Sequence, residues 1–306
     1  MSRVVLLGPQ RLRPTVAATL RSLGVAGPVA TVTAGWQERE PDDAELDAHL
    51  GGPALNLGLY VRWRDVLERD PELAAADLRR RSLLEEMREL YELRLDLALQ
   101  AVGAVARRPG GDGVRSAELE AALDAVRDLD ARHFERAAEV HAAFYSRWPP
   151  HERPAVRRHR EAVARALGAS AALAIAGGHV GALGECLHLF NVAAAVGDRP
   201  VVAWSAGAMA ICDRIVLFHD DAAQGSGHPE VFDAGIGLCQ GIVPLPHARR
   251  RLHLQDRQRM SLMARRFAPA VCVPLDEGDR LDGDVPVAPR QRVIHSDGRV
   301  CQLQAA

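Results

Sequence analysis

The stretch from Val201 to Ala210, with the sequence VVAWSAGAMA, decides the fold. An apolar run ends abruptly at Ser205, and small residues followed by a helical pattern come directly after it. A small-x-Ser-x-Gly segment between a strand and a helix is typical of a nucleophile elbow, a tight turn that presents the serine hydroxyl beyond the end of the sheet. Small neighbours suit such a turn because the strand and helix backbones nearly touch and the dihedral angles are strained. The alternative interpretation is an ordinary strand-to-helix turn with the serine as N-cap.

Composition excludes several classes of function. The chain has 306 residues, 48% of them hydrophobic and 25% charged, which is typical of globular domains with a sizeable core. The formal net charge of -2 argues against a nucleic-acid-binding protein, which normally carries a basic excess. All 38 basic residues are arginine. A Schiff-base lysine, a Ser-Lys dyad and a P-loop lysine are therefore excluded.

Cysteine usage and hydropathy bear on the compartment. The five cysteines contain no CxxC pair, and their odd number favours buried thiols in a reducing compartment over a disulfide framework. The first residues lead straight into a predicted strand, which is unlike a signal peptide. The sequence contains no uninterrupted run of 18 apolar residues, which is about the length needed to span a membrane. These features predict a cytoplasmic protein with no membrane partner.

The two ends of the chain share an alternating pattern of strands and helices. This alternation predicts a doubly wound, mostly parallel sheet of the α/β class. The predicted strands are 3–7, 29–34, 55–62, 171–176, 200–204, 214–219, 241–245 and 270–274, with a hairpin at 293–302. The predicted helices are 15–23, 182–192 and 249–266, and residues 37–47 are predicted to form a polar loop.

The middle of the chain has a different texture. Apolar residues recur at helical spacing in two long segments, separated by Pro109 and the glycines after it. The first series is Leu83, Leu84, Met87, Leu90, Tyr91, Leu97, Ala101 and Val105, and the second runs from 119 to 144. This pattern predicts an antiparallel helical hairpin, followed by a third helix at 154–167. The many Arg and Glu residues here predict a solvated face, with a partner-binding surface as the alternative. We therefore divide the chain into an α/β core at 1–63 and 169–306 and an all-helical insertion at 64–168.

A serine nucleophile needs a general base, and the base needs an orienting acid. In α/β sheets such groups come from the carboxyl ends of neighbouring strands. His247 stands just after the apolar run 241–245, so it is the candidate base. The strand at 214–219 leads into Asp220 and Asp221, and one of these carboxylates is the candidate acid.

The same acidic segment has a second interpretation as a metal site. His219, Asp220 and His228 are ligand types that a metal ion accepts. Their spacing is irregular and no fourth ligand is evident, so we predict neither a metal nor another cofactor.

Two glycines also follow a predicted strand, at Gly177 and Gly178, with His179 after them. Paired glycines let the backbone approach a ligand closely and present N–H groups to it. In an acyl-transfer site this loop would supply one oxyanion donor and the N–H of Ala206 the other. The alternative is a simple tight turn.

Taken together, these motifs resemble one known family. Three segments carry the resemblance: Gly177-Gly178, residues 204–208, in which Ser205 comes 28 residues after Gly177, and Leu245-Pro246-His247. Together they resemble the cyanophycinase and dipeptidase E family of serine peptidases. That family has the fold of class I glutamine amidotransferases, a flavodoxin-like arrangement. The resemblance covers the N-terminal strands and residues 170–280, whereas the helical insertion has no counterpart in the dipeptidases.

The resemblance implies a role for several residues. Ser205 would be the nucleophile, His247 the general base, and Gly178 and Ala206 the oxyanion donors. Asp276 and Glu277 look like the family's acidic dipeptide near the substrate. The sequence departs from the family where Ala203 replaces a usual glycine and where His179 replaces a small polar residue. Amidotransferases carry cysteine at the elbow, so the serine here excludes their reaction.

Two functions of different classes follow. The first is a serine hydrolase that cleaves a peptide or amide bond in a small substrate, and the resemblance implies an acidic or aspartyl-containing one. Arg251, close after His247, could bind a substrate carboxylate, although it could equally be a solvated arginine at the start of a helix. The second is a catalytically silent binding or scaffolding protein. In either case the insertion could cover the site or form a homodimer interface.

Overall fold

The apolar runs at the two ends of the chain form one central sheet. A computed structural model describes residues 4–52, 54–109, 112–220, 227–283 and 291–302. Its strands are β1 (Val4–Leu7), β2 (Val29–Val32), β3 (Leu55–Asn56), β4 (Ala172–Ile175), β5 (Val201–Trp204), β6 (Arg214–Leu217), β7 (Glu230–Ala234), β8 (Ile242–Pro246), β9 (Val271–Leu275), β10 (Arg280–Asp282), β11 (Arg292–Ile294) and β12 (Val300–Gln302). The largest sheet has six strands in the order β10-β1-β5-β4-β2-β3, and all its pairs are parallel except β1 with β10.

The helices cover the sheet and build a separate hairpin. They are α1 (Val16–Ser22), α2 (Ala44–Leu50), α3 (Leu59–Arg69), α4 (Pro71–Ala106), α5 (Asp112–Arg147), α6 (Pro154–Gly168), α7 (Val180–Leu189), α8 (Val192–Val196), α9 (Ala206–Ala210), α10 (Ala248–Arg251) and α11 (Arg257–Phe267), with a 3-10 helix at Ala34–Arg39. This arrangement confirms an α/β fold with a mostly parallel sheet and a long helical region. None of the described helices is both long and apolar enough to cross a membrane.

Strands β1, β5 and β4 lie at the centre of the sheet and position the predicted elbow. Val5 pairs with Val202 and Leu7 with Trp204, while Leu173 of β4 pairs with Val201. All three strands are buried along their whole length, because a parallel sheet covered by helices on both faces favours unbroken apolar strands. The carboxyl ends of these strands therefore lie side by side, at Gly8, Ser205 and Ala176.

Several predicted strands differ from the structure. The predicted strand at 55–62 is a two-residue strand followed by α3, because Gly58 adopts a left-handed conformation and starts a helix. The predicted loop at 37–47 contains the start of α2. Strands β6, β7, β8 and β9 do not join the six-stranded sheet, since β6 pairs with β7 and β8 with β9. The sequence shows these runs to be apolar, but pairing is decided by the segments brought beside them.

The helical hairpin forms as the sequence predicts, with α4 antiparallel to α5. Arg80 contacts His141, whereas Tyr91, later in α4, contacts Asp130, which is earlier in α5. The two helices therefore run in opposite directions. The hairpin packs against β7 and α11, whereas α3 and α6 belong to the core beside the six-stranded sheet. The predicted boundary after Trp63 falls inside α3, which spans the junction between the sheet and the hairpin.

The predicted apolar face of α4 combines two different sides of the helix. Tyr91 is buried, but Leu83, Leu90 and Leu97 are exposed to solvent. A list of apolar residues at helical spacing does not identify which side meets the protein, because both sides of α4 carry leucines. All five thiols are free, four of them are buried, and Cys301 is partly exposed.

Candidate active site

Ser205 has a strained backbone at the turn between a strand and a helix. It follows β5 directly and precedes α9, with φ 53° and ψ −127°. A non-glycine residue with positive φ costs of order 1–3 kcal/mol and persists where the surrounding structure enforces it. The serine's N-cap position makes no side-chain hydrogen bond to the helix backbone, so the simpler N-cap interpretation lacks its characteristic contact.

Close backbone packing holds this turn. A Cβ atom on Gly177 would lie 2.6 Å from the Cβ of Ser205 and 3.1 Å from the nitrogen of Ala206. A Cβ on Gly207 would lie 2.5 Å from the carbonyl oxygen of Ile175. The glycines at these positions are thus a steric requirement for the end of β4 to meet the elbow.

The loop of Gly177 and Gly178 lies beside the serine. Gly178 has φ +120°, and its backbone packs on Gly35, whose carbonyl oxygen accepts the N–H of His179 at 2.7 Å. Within the described ranges, no hydrogen bond uses the N–H of Gly178 or that of Ala206. Free N–H groups next to a serine are the donors that an oxyanion needs.

His179 has a local role that the sequence did not reveal. Its Nδ1 atom accepts a hydrogen bond from the N–H of Ala182 at 3.1 Å, so the imidazole caps α7. The ring also lines the large cavity described below.

His247 stands at the carboxyl end of β8 in a left-handed conformation, with φ 58°. Its N–H donates to the carbonyl oxygen of Leu275 at 2.9 Å, which ties it to the end of β9. Burial, followed by the positive charges of Arg251 and Arg250, lowers the pKa of His247 below its usual value. No hydrogen bond from the imidazole to another described residue is present. A neutral imidazole with a free ring nitrogen is suited to accept a proton.

The segment after β9 joins His247 to the elbow. Gly8 lies against this segment so closely that a Cβ on it would be 1.7 Å from the carbonyl oxygen of Asp276. Gly8 also follows Leu7, the residue paired with Trp204, and so stands next to Ser205. The ends of β8, β9, β1, β5 and β4 therefore converge around Ser205. Gly8 directly follows β1, and a glycine at the end of a strand is a sequence signal for such close backbone packing.

Among the carboxylates, Asp276 has the largest effect on the pKa of His247. Its negative charge raises this pKa and so offsets part of the lowering caused by burial and the arginines. It is buried, and its carboxylate accepts the N–H of Arg249 at 3.0 Å and Nη2 of Arg292 at 3.1 Å. Its neighbour Glu277 is exposed. Asp276 is therefore the buried member of this acidic dipeptide, and its charge has the larger effect on the pKa of His247.

Asp220 makes a different set of contacts from those of a triad acid. Its side chain is fully buried, and it accepts hydrogen bonds from Nε and Nη2 of Arg259 at 2.9 and 2.6 Å and from the N–H of His253 at 2.7 Å. None of these partners is His247, and Asp220 is absent from the charges that shift the pKa of His247, so the structure does not bring Asp220 to His247. Asp221 lies outside the described residues.

The described positions of His219, Asp220 and His228 do not form a metal-binding cluster. Among the described residues, no group of three or more His, Cys, Asp or Glu side chains is arranged to hold an ion. Asp220 pairs with Arg259, and His228 lies 3.9 Å from Asp96 on α4. Different partners therefore hold the two candidate ligands.

Arg251 is half-buried near His247. No hydrogen bond or ion pair of its guanidinium with another described residue is present, and burial together with Arg250 lowers its pKa. A partly desolvated guanidinium without a carboxylate gains strongly from binding an anion. Arg249, by contrast, is exposed and lies 3.5 Å from Asp276.

A cavity of about 760 Å³ lies between the helical hairpin and the α/β core. Its wall includes Trp63, Arg80, His141, His179, Glu185 and Phe232. Ser205 and His247 are not lining residues, and the cavity approaches the elbow through His179, two residues after Gly177. The helical insertion thus forms one wall of this cavity.

The cavity wall contains a continuous polar network. Arg80 is buried and donates to Asp77 at 2.6 Å, to Glu185 at 2.5 Å and to Nδ1 of His141 at 2.8 Å. Because Nδ1 of His141 accepts, Nε2 carries the proton and donates to Asp233 at 3.0 Å. This network connects α4, α5, α7 and β7. The sequence does not single out His141, because a histidine within a predicted helical insertion carries no local signal of such a network.

A carboxyl pair near the cavity predicts a pH-dependent stability. Burial and the adjacent carboxyl group of Glu92 raise the pKa of Glu230 from 4.5 to about 8. The folded state therefore binds more protons than the unfolded state between these values, so the free energy of unfolding falls as pH rises from about 4.5 to 8. We expect Glu230→Gln to remove this slope and to raise stability at pH 8 by on the order of 2 kcal/mol.

Urea denaturation across this pH range measures the effect. Glu118→Gln is the matched control, because Glu118 is exposed on α5, and it should keep the slope of the natural protein. A Glu230→Gln variant with an unchanged slope would contradict the raised pKa.

Comparison with known proteins does not identify a family for this chain. No protein-family model matches the chain, and no curated protein matches it in sequence. Among solved structures, the chain is similar to the crystal structure of a peptidase from an acI-B1 Actinobacterium, with 13% sequence identity and a TM-score of 0.45. That alignment covers 100% of this chain and 95% of the other.

Proposed function

We propose that this chain is a serine hydrolase that cleaves a peptide or amide bond in a small substrate. The observation that carries the proposal is the strained backbone of Ser205 beside free N–H groups of Gly178 and Ala206. Strain of this kind is costly and recurs at active sites. The sequence motifs that resemble the cyanophycinase and dipeptidase E family of serine peptidases support the same proposal.

In the proposed mechanism, His247 removes the proton from the hydroxyl of Ser205 as the serine oxygen attacks the substrate carbonyl carbon. The N–H groups of Gly178 and Ala206 stabilise the negative charge that develops on the carbonyl oxygen. The protonated imidazole then donates its proton to the leaving nitrogen, and water hydrolyses the acyl-enzyme by the same steps. Asp276 supplies the negative charge that stabilises the imidazolium.

Arg251 would bind a carboxylate of the substrate, in keeping with an acidic or aspartyl-containing peptide. Its half-buried guanidinium lies close enough to His247 to lower that histidine's pKa. A substrate carboxylate held there would be near the reacting groups and would fix the orientation of the scissile bond.

Covalent labelling tests the proposal without a known substrate. The purified protein is treated with a fluorophosphonate probe, and mass spectrometry of the digested protein locates the adduct. We expect one adduct at Ser205. Loss of labelling on heat unfolding is the control for activation by the fold. A folded protein that the probe does not label at Ser205 would contradict the proposal.

The pKa of His247 predicts how labelling depends on pH. Because burial and two arginines lower this pKa, the inactivation rate should stay high below pH 6.5, the value of an ordinary histidine, and fall only at lower pH. In Arg251→Gln the loss of positive charge should move the midpoint to higher pH. Arg257→Gln, at the start of α11, is the control and should leave it unchanged. An equal midpoint in all three proteins would contradict His247 as base.

A second candidate function, ligand binding without catalysis, is favoured by the cavity. His133 is 8% exposed, lines the cavity, and its Nε2 atom has no hydrogen-bond partner among the described residues. A cavity of this size with apolar, aromatic and polar lining residues is suited to a small ligand. A binding protein should keep its cellular function in Ser205→Ala, whereas a hydrolase should lose it.

A further inference from the structure

Helix α4 is apolar on two opposite sides. One side packs against α5 and carries the buried residues Tyr91, Leu95, Leu99 and Val102. The other side carries Leu83, Leu90, Leu93 and Leu97, which we call the leucine stripe. These four leucines are 45%, 58%, 61% and 59% exposed. A helix that is apolar on two sides normally has a partner on each.

The leucine stripe has the spacing of a helix-pairing surface. Leu83, Leu90 and Leu97 are seven residues apart, and at about 3.6 residues per turn they drift by only about 20° per step. Leu93 follows Leu90 by three residues, as an apolar position of a heptad does. Single exposed leucines need no explanation, but four in one line along about 21 Å form a continuous apolar surface.

The charges on this side of the helix identify the partner. Glu86 and Arg94 are exposed and stand four residues before and four residues after Leu90. In a parallel, in-register pair of α4 helices, each of these charges would meet the same charge. In an antiparallel pair with its two-fold axis at Leu90, Glu86 of each copy faces Arg94 of the other. Opposite charges beside an apolar seam set partner choice and orientation.

We propose that the leucine stripe binds a second copy of this chain, with the two α4 helices antiparallel and Leu90 at the two-fold axis. Leu83 of each copy then lies opposite Leu97 of the other. The whole helix is 36 residues, about 54 Å long, which provides room for an interface of the usual size of about 1,200–2,000 Å². The pairing is isologous, as in most homodimers, and it does not depend on the proposed function.

Sedimentation equilibrium tests the dimer. We expect the natural protein to have twice its 33.1 kDa chain mass at micromolar concentration, and Leu90→Arg to raise the dissociation constant at least 100-fold. Leu78→Arg is the matched control, because Leu78 is also 58% exposed on α4 but lies about 120° around the helix from Leu90. This control should remain a dimer with the circular dichroism of the natural protein. A monomeric natural protein, or a dimer unaffected by Leu90→Arg, would overturn the proposal.

Charge exchange tests the pairing of Glu86 with Arg94. Glu86→Arg and Arg94→Glu should each weaken the dimer about tenfold, because each places like charges opposite one another. The double variant should recover most of the lost affinity, since the two exchanged charges face each other again. Additive weakening in the double variant would overturn the antiparallel register.

Cysteine crosslinking tests the orientation directly, in a Cys301→Ala background that removes the partly exposed native thiol. Oxidation should crosslink Leu90→Cys with itself. It should not crosslink Leu83→Cys with itself, but it should crosslink a mixture of Leu83→Cys and Leu97→Cys. A parallel dimer gives the reverse result for Leu83→Cys, which would overturn the proposal.

Discussion

Ser205→Ala is expected to abolish fluorophosphonate labelling and to lower the rate of amide hydrolysis by about 10⁴-fold or more. The hydroxyl group is the nucleophile in the proposed mechanism, and no other described serine combines positive φ with a strand-to-helix turn. Labelling rates are measured first. Hydrolysis is then measured on dipeptides with and without an acidic side chain.

Two controls separate loss of chemistry from loss of fold. Ser82→Ala, at an exposed position on α4, should keep the full labelling rate. Ser205→Gly should lose labelling and yet gain about 1–2 kcal/mol of unfolding free energy, because glycine adopts φ 53° without strain. Labelling of Ser205→Ala at the natural rate would contradict the assignment of the nucleophile.

Asp130→Ala is expected to destabilise the protein by about 3–5 kcal/mol. Asp130 on α5 accepts from Nε of Arg266 at 2.7 Å and from the hydroxyl of Tyr91 at 2.8 Å. The side chains of Arg266 and Asp130 are only 2% and 7% exposed. Removing the carboxylate leaves a buried guanidinium without a counter-charge, and this loss falls where the hairpin joins α11.

Urea denaturation of Asp130→Ala measures this loss. Asp128→Ala is the matched control, because Asp128 is on the same helix and its side chain is 69% exposed, in a pair with Arg132 at 3.7 Å. Such exposed pairs contribute about 0–1 kcal/mol, so this control should be nearly neutral. Similar stability losses in the two variants would show that the buried network does not hold the hairpin to the core.

The apolar strands and the long helices of this protein could be predicted from the sequence because their signals are local. An unbroken apolar run such as 172–175 has few stable positions other than the centre of a covered parallel sheet. The break at Pro109 likewise places the end of α4 correctly. The elbow at Ser205 belongs to the same class of signal, since small residues after a strand permit very few turns.

The pairing of the later strands could not be predicted in this way. Strands β6 and β8 look like members of the main sheet, yet β6 pairs with β7 and β8 with β9. An apolar strand is equally stable against several neighbours, and the choice depends on contacts between residues far apart in the chain. Glu230–Ala234 carries a weak strand signal, and its pairing with β6 is a tertiary effect.

The acid of the candidate site shows the same division. Asp220 stands after a strand, as an orienting acid should, but Arg259 from α11 uses its carboxylate. Asp276 lies beside His247 because β8 and β9 run in parallel, with Pro246 paired to Leu275. A position at a strand end can be predicted from sequence, but which side chain meets which depends on strand pairing.

The sequence by itself determined the strand-to-helix turn at Ser205, the glycines that let it form, and the hairpin of α4 and α5. These features depend on backbone sterics and apolar periodicity, which act over a few residues. Only the tertiary structure decided that Asp276 stands beside His247, that Asp220 pairs with Arg259, and that one row of leucines on α4 remains exposed. Those outcomes depend on packing between distant segments, where several arrangements satisfy the same local preferences and long-range contacts select among them.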